Sequence, residues 1–183
     1  SVLGWLSDTG RYNTQIAISG ISIKEEANQK ISQASQIITA TEQAINTAQG
    51  AQSDAKSSIN AAQAIGANVL ASSMLLQNSD SSLISAQSYL SAAKSFYASA
   101  QTNYQNANLH QTTLSYAESA LSNANNAKDN ANSAYSSAIS AKESAESAKL
   151  LYEQELKRKQ EESQSNNAAS AQFGVTVTGA CAG

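Results

Sequence analysis

The stretch SNANNAKDNANSAYSSAISAKESAESAK, residues 122–149, has alanine at every third or fourth position from Ala124 to Ala148. With the residues just before it, it forms two rows: Ala117, Ala124, Ala131, Ala138 and Ala145, and Ala120, Ala127, Ala134, Ala141 and Ala148. Steps alternating between three and four residues match the 3.5-residue period at which one helix keeps a constant face toward another. Leucine usually fills such positions. Alanine there brings two helix axes closer than the common spacing of about 8–10 Å, so packing depends on close backbone approach rather than bulky interdigitation. Burying alanine removes little apolar area at about 25 cal/mol per Å², so each heptad is weakly stabilised and length or further neighbours must make up the difference.

The rest of the chain agrees with a helical reading. Of 183 residues, 34 are alanine and 31 serine, while proline is absent and glycine numbers 8. Aromatic residues make up 5% and charged residues 14%, too few for an ordinary globular core or for disorder of the highly charged kind. From Ala27 a heptad row runs Ala27, Ala34, Thr41, Ala48, Ala55, Ala62, Val69, Leu76, with the companion row Ile31, Ile38, Ile45, Gln52, Ile59. A third segment carries Ala86, Ala93, Ala100 and Ala107 beside Leu90, Phe96, Tyr97 and Tyr104. Aromatics at those positions are expected to fill the bundle core where alanine leaves room.

Helix boundaries are expected from capping signals. Ser22-Ile23-Lys24-Glu25 and Ser115-Tyr116-Ala117-Glu118 both have the Ser-x-x-Glu form of a capping box. The heptad phase passes through Gly50 and Gly66, which predicts one helix across both. Asn78-Ser79-Asp80-Ser81 is rich in side chains that hydrogen-bond the local backbone, and a hairpin bend is expected there. Leu76, Leu83 and Leu90 nevertheless hold one phase across that stretch.

The expected fold is all-α: an elongated Ala-rich antiparallel coiled coil or bundle of two to four long helices, with short β-like segments at both ends. Residues 1–21 form an apolar, strand-like connector, residues 22–164 the bundle with helices over about 22–77, 81–108 and 115–163, and residues 165–183 a strand-like tail. Ile16 and Ile18 alternate near one end, Val175 and Val177 near the other, and Trp5 lies in an apolar cluster with Val2, Leu3 and Leu6. Such segments are expected to be connectors, since isolated strand edges pair readily with another chain.

Little here points to catalysis. His110 is the single histidine and is expected in a solvated loop, and no residue cluster has metal-ligand spacing. No phosphate-cradling glycine loop or nucleophile elbow is present. No catalytic, cofactor-binding or metal residue is therefore assigned, no small-molecule substrate is expected, and the chain is read as a non-enzyme. A net charge of -3 without a basic cluster argues against nucleic acid, and no apolar run is long enough for a membrane span. Cys181 is the one cysteine, so an intrachain disulfide is impossible and one between subunits stays open. The charges of KLLYEQELKRKQEE read as a solvated helix, with Glu153 to Lys157 and Glu155 to Lys159 at the favourable i,i+4 spacing.

SAISAKESAESAK is similar in composition to the Ala/Ser-rich coiled-coil shafts of phage tail fibres and secreted fibrous proteins, a likeness that identifies no family. The functional expectation is a structural subunit that self-assembles with other copies, through alanine-rich helix packing and its terminal segments, into an extracellular filament, sheath or viral coat. The alternative is a coiled-coil spacer or binding module, such as a fibre shaft or adhesin stalk, that presents a partner surface.

Overall fold

The computed structural model describes the backbone of residues 2–182 and the side chains of residues 22–106 and 108–171. Three long helices pack against one another: α1 (Val2–Ala64), α2 (Leu70–Asn103) and α3 (His110–Ala182), with a single 3₁₀ turn at Ala107–Leu109 before α3. α2 runs back along α1, and α3 runs back along α2, so α1 and α3 are parallel. Pairings up the bundle show this register: Lys24 of α1 lies by Tyr104 near the base, Thr41 meets Ala124, and Ser58 meets Glu146 near the tip.

The turn between α1 and α2 corrects the expectation of one helix through Gly66. Gly66 has φ +97°, a left-handed conformation that costs a residue with a Cβ about 1–2 kcal/mol. Its N–H donates to Gln63 O at 2.9 Å, and the N–H of Ala67 donates to Ala62 O at 3.0 Å. These two bonds make a Schellman motif, which satisfies carbonyls that the end of α1 would leave free. Asn68 Oδ1 then accepts from the N–H of Leu70 at 3.0 Å and helps start α2. Gly50, in contrast, remains inside α1, with open space where a side chain would project. The heptad phase misleads because the turn happens to set Val69 seven residues after Ala62, both buried at the tip.

The expected bend at residues 78–81 is likewise corrected, since all four lie within α2. The second turn falls at residues 104–109 instead, where Asn106 caps the 3₁₀ turn by accepting from the N–H of Asn108 at 3.0 Å. Neither Ser-x-x-Glu box starts a helix, because α1 is already helical before Ser22 and α3 before Ser115. Extending an existing helix costs less than nucleating a new one, so a possible cap inside a helix goes unused.

There is no strand among the described residues, and the helical backbone continues through positions 16–18 and 175–177, where strands were expected. Alternating β-branched residues favour a strand only when another strand can pair with them. The side chains of Trp5, Ile16, Ile18, Val175 and Val177 lie outside the described residues.

The core is narrow and made largely of small residues. Ala27, Ala34, Ala48, Ala55 and Ala62 of α1, and Ala86, Ala93 and Ala100 of α2, have no exposed surface. Ile38, Ile45, Leu83 and Leu90 supply bulk to the main cluster, with Tyr97 packed against it. A second cluster at the tip joins Ile59, Ala62, Ala67, Val69 and Ala145, with Tyr152 against it. Beyond Tyr152, α3 continues alone, and every residue from 153 to 171 is exposed.

Candidate functional site: the alanine seams of the bundle

α3 touches both other helices, and its two alanine rows serve different neighbours. Ala124 of the first row offers its carbonyl to Thr41 of α1, whose Oγ1 lies 3.4 Å away while also donating to Ile37 O at 2.7 Å. Ala134 of the second row offers its carbonyl to Ser79 of α2, whose Oγ donates at 2.5 Å. A side-chain hydroxyl can reach a neighbouring helix's backbone only where no large side chain stands between them. That closeness is the structural consequence of the alanine pattern.

The seam residues expected from the sequence come together. Ala117, Ala120, Ala124, Ala127, Ala131, Ala134, Ala138, Ala141 and Ala145 are completely buried, and Ala148 at the tip is half-buried. Ile38, Ile45 and Ile59 are buried, whereas Ile31, toward the base, is half-buried. Gln52, which interrupts the isoleucine row, donates from Nε2 to Ser79 Oγ at 3.0 Å. Gln52, Ser79 and the Ala134 carbonyl thus form one polar chain across all three helices. A buried polar link of this kind fixes register, because a shift along the seam would leave its members unpaired.

Ser79 and Ser72 were missed as core residues, although both are buried. Ser72, Ser79, Ala86, Ala93 and Ala100 are one heptad row, and that spacing could have found them. Ser72 Oγ donates to Ser144 Oγ at 2.9 Å, a second hydroxyl contact between α2 and α3. The aromatics sit at the margins of the seams: Phe96 and Tyr116 have ring centroids 6.3 Å apart, and Lys24 Nζ lies 5.1 Å from the centroid of the Tyr104 ring.

His110 is not in a loop as expected, but is the first residue of α3 and half-buried. Its Nδ1 and the Oγ1 of Thr113 are buried without a hydrogen-bond partner. These two residues occupy the positions where the alanine rows of α3 begin, seven residues before Ala117 and Ala120. No group of three or more potential metal ligands occurs among the described residues. A shallow groove of about 310 Å³ between α1 and α3 is lined by Lys30, Glu118, Leu121, Ser122, Asn125 and Asn126. It brings together one cation, one carboxylate and neutral polar groups, without a paired nucleophile and base. Among the described residues no helix is long and apolar enough to cross a membrane.

Past the tip, Arg158 bridges Glu155 and Glu162, with nitrogen–oxygen distances of 2.7 and 2.9 Å. The hydrogen bond from Arg158, together with its charge, holds the Glu155 carboxyl below the ordinary glutamate range. Seam positions in this part of α3 are Glu155, Lys159 and Glu162, so the apolar face ends with the bundle.

No protein-family model matches the chain, and neither does any curated protein or solved structure.

Proposed function

We propose that this chain is a non-enzymatic structural rod, a three-stranded coiled-coil spacer of the fibre-shaft or stalk kind that holds whatever lies at its two ends apart. The observation that carries this reading is the parallel course of α1 and α3. With three helices the chain enters the bundle at one end and leaves at the other, as a spacer requires. The bundle part of α3, from His110 to Tyr152, measures about 64 Å at 1.5 Å per residue. The polar chain through Gln52, Ser79 and Ala134 opposes sliding of the helices, so the length is fixed.

The alanine rows favour the spacer over assembly through those same rows. Their surface is already covered by helices of the same chain and is not free to join other copies. The filament, sheath or coat reading keeps one supporting observation, the sparse charge of the flank, where residues 31–141 hold only eight ionic side chains. An extracellular or virion-surface setting is part of the proposal, as is the absence of a substrate, cofactor or nucleic-acid partner.

Small-angle scattering at low concentration tests the rod. A compact chain of this length has a radius of gyration of about 16 Å. α3 alone spans about 110 Å, which requires a radius of gyration of about 30 Å or more. A value near that of the compact chain would overturn the reading.

A further inference from the structure

α2 carries a second set of heptad positions, on the side facing away from the bundle. One row begins Leu70, Gln77, Ile84 and the other Met74, Ser81, Ser88, and both continue in small residues to position 102. All of these positions are exposed. Their alternating steps of four and three repeat the spacing of the inner seam, the pattern by which a helix receives another helix. Leu70 is 67% exposed, Met74 57% and Ile84 66%. Single exposed apolar residues are ordinary, but three on one heptad face are an organised stripe.

The other two helices lack this combination. The outward face of α1 is serine, threonine, asparagine and glutamine over most of its length, and that of α3 includes Asp129 and Glu143. The only ionic residues of α2 are Asp80 and Lys94, and neither belongs to the two outward rows. Lys94 is already paired with Glu42 of α1 at 2.9 Å.

We propose that this face of α2 docks against the same face of a second copy of the chain, antiparallel, about a twofold axis at Gln77. Leu70 and Ile84 stand seven residues to either side of Gln77, so antiparallel pairing sets Leu70 of each copy against Ile84 of the other. Two identical faces without charge meet with neither like-charge repulsion nor ions to desolvate. The antiparallel sense follows from Asp80 at the edge of the stripe. Parallel copies would bring their Asp80 carboxylates level, whereas the antiparallel register separates them by about 9 Å along the axis and opposes the helix dipoles.

Contact over residues 70–84 alone is about 21 Å long, short of the roughly 800 Å² per partner typical of a stable pair. The proposed pair overlaps at its tips, however, so the part of α3 beyond Tyr152 in each copy runs beside the body of the other. The contact then extends past the stripe.

Oxidative cross-linking of full-length single-cysteine chains, with Cys181→Ser as background, tests the pairing. Gln77→Cys is expected to give a disulfide-linked dimer, while Ser53→Cys on the outward face of α1 stays monomeric. Adding Ile84→Lys is expected to weaken dimerisation about tenfold or more in sedimentation. The thermal melt of the bundle is expected to persist, since Ile84 is exposed. Equal cross-linking of Gln77→Cys and Ser53→Cys would overturn the proposal, as would a chain that remains monomeric at millimolar concentration, the result expected if the stripe serves a lipid surface or an unrelated protein. Self-cross-linking of Leu70→Cys and Ile84→Cys as efficient as that of Gln77→Cys would indicate a parallel pair and also overturn it. None of these results depends on the radius of gyration of the monomer, so rod and pairing fail independently.

Discussion

The hydroxyl of Ser79 in α2 lies 2.5 Å from the carbonyl oxygen of Ala134 in α3, with the amide of Gln52 from α1 on its other side. This contact exists because Ala134 has no side chain long enough to keep α2 away. Ser79→Ala keeps the small volume and removes the link, leaving Gln52 Nε2 without its partner. The expected loss is about 0.5–1.5 kcal/mol, read from urea unfolding. An unchanged midpoint would mean that the polar chain contributes nothing to stability.

The two interior glycines are expected to respond in opposite directions to alanine. Gly50→Ala meets open space within a helix and should stabilise the chain by about 0.5–1 kcal/mol. Gly66→Ala needs a left-handed backbone and would place its Cβ 2.9 Å from the Tyr152 hydroxyl. A loss of about 1–2 kcal/mol from the backbone alone follows, with the contact against Tyr152 adding to it. Paired thermal melts check the sign of each.

The sequence made the alanine rows legible because a 3.5-residue period survives any polar decoration of the outer face. Ala117 to Ala145 and Ala27 to Ala62 are buried where that period puts them. The turns were much less legible. Val69 and Leu76 keep the phase of α1 across a real break at Gly66, while Asn78-Ser79-Asp80-Ser81 has turn chemistry but packs inside a helix. Ser79 is accommodated there because a neighbouring backbone accepts its proton, a tertiary partner that local propensity does not contain. Gly66 and Gly50 look alike in sequence, and what separates them is the Asn68 that follows Gly66 and the Tyr152 that packs over it.

Ala131→Leu or Ala138→Leu should overpack the seam and destabilise the chain by about 1–3 kcal/mol. Both alanines are completely buried, whereas Ser133 between them is exposed. Ser133→Leu is therefore the control and should stay within about 0.5 kcal/mol of the parent. Equal effects of the inner and outer substitutions on the thermal midpoint would remove the close-packed seam.

The Glu155 carboxyl is held low by Arg158, so whatever the pair contributes to α3 is present above the ordinary glutamate range and lost as pH falls through the lowered value. A carbon-13 titration of the Glu155 side chain is expected to show a midpoint below that of other exposed glutamates. Arg158→Gln should return it to the ordinary range. A Glu155 midpoint that ignores this substitution would show that the pair does not persist in solution.

The up-down-up path of the three helices is tested most directly by one distance, between spin labels at Asn60→Cys and Ser95→Cys in the Cys181→Ser background. Both sites are exposed. The pairings Gln52 with Ser79 and Glu42 with Lys94 place Ser95 well down the bundle from Asn60. The expected separation along the axis is about 30–36 Å at 1.5 Å per residue. A hairpin at residues 78–81 would instead set the two sites side by side on adjacent helices, about 10 Å between axes, and a distribution centred there would contradict the fold and the rod built on it.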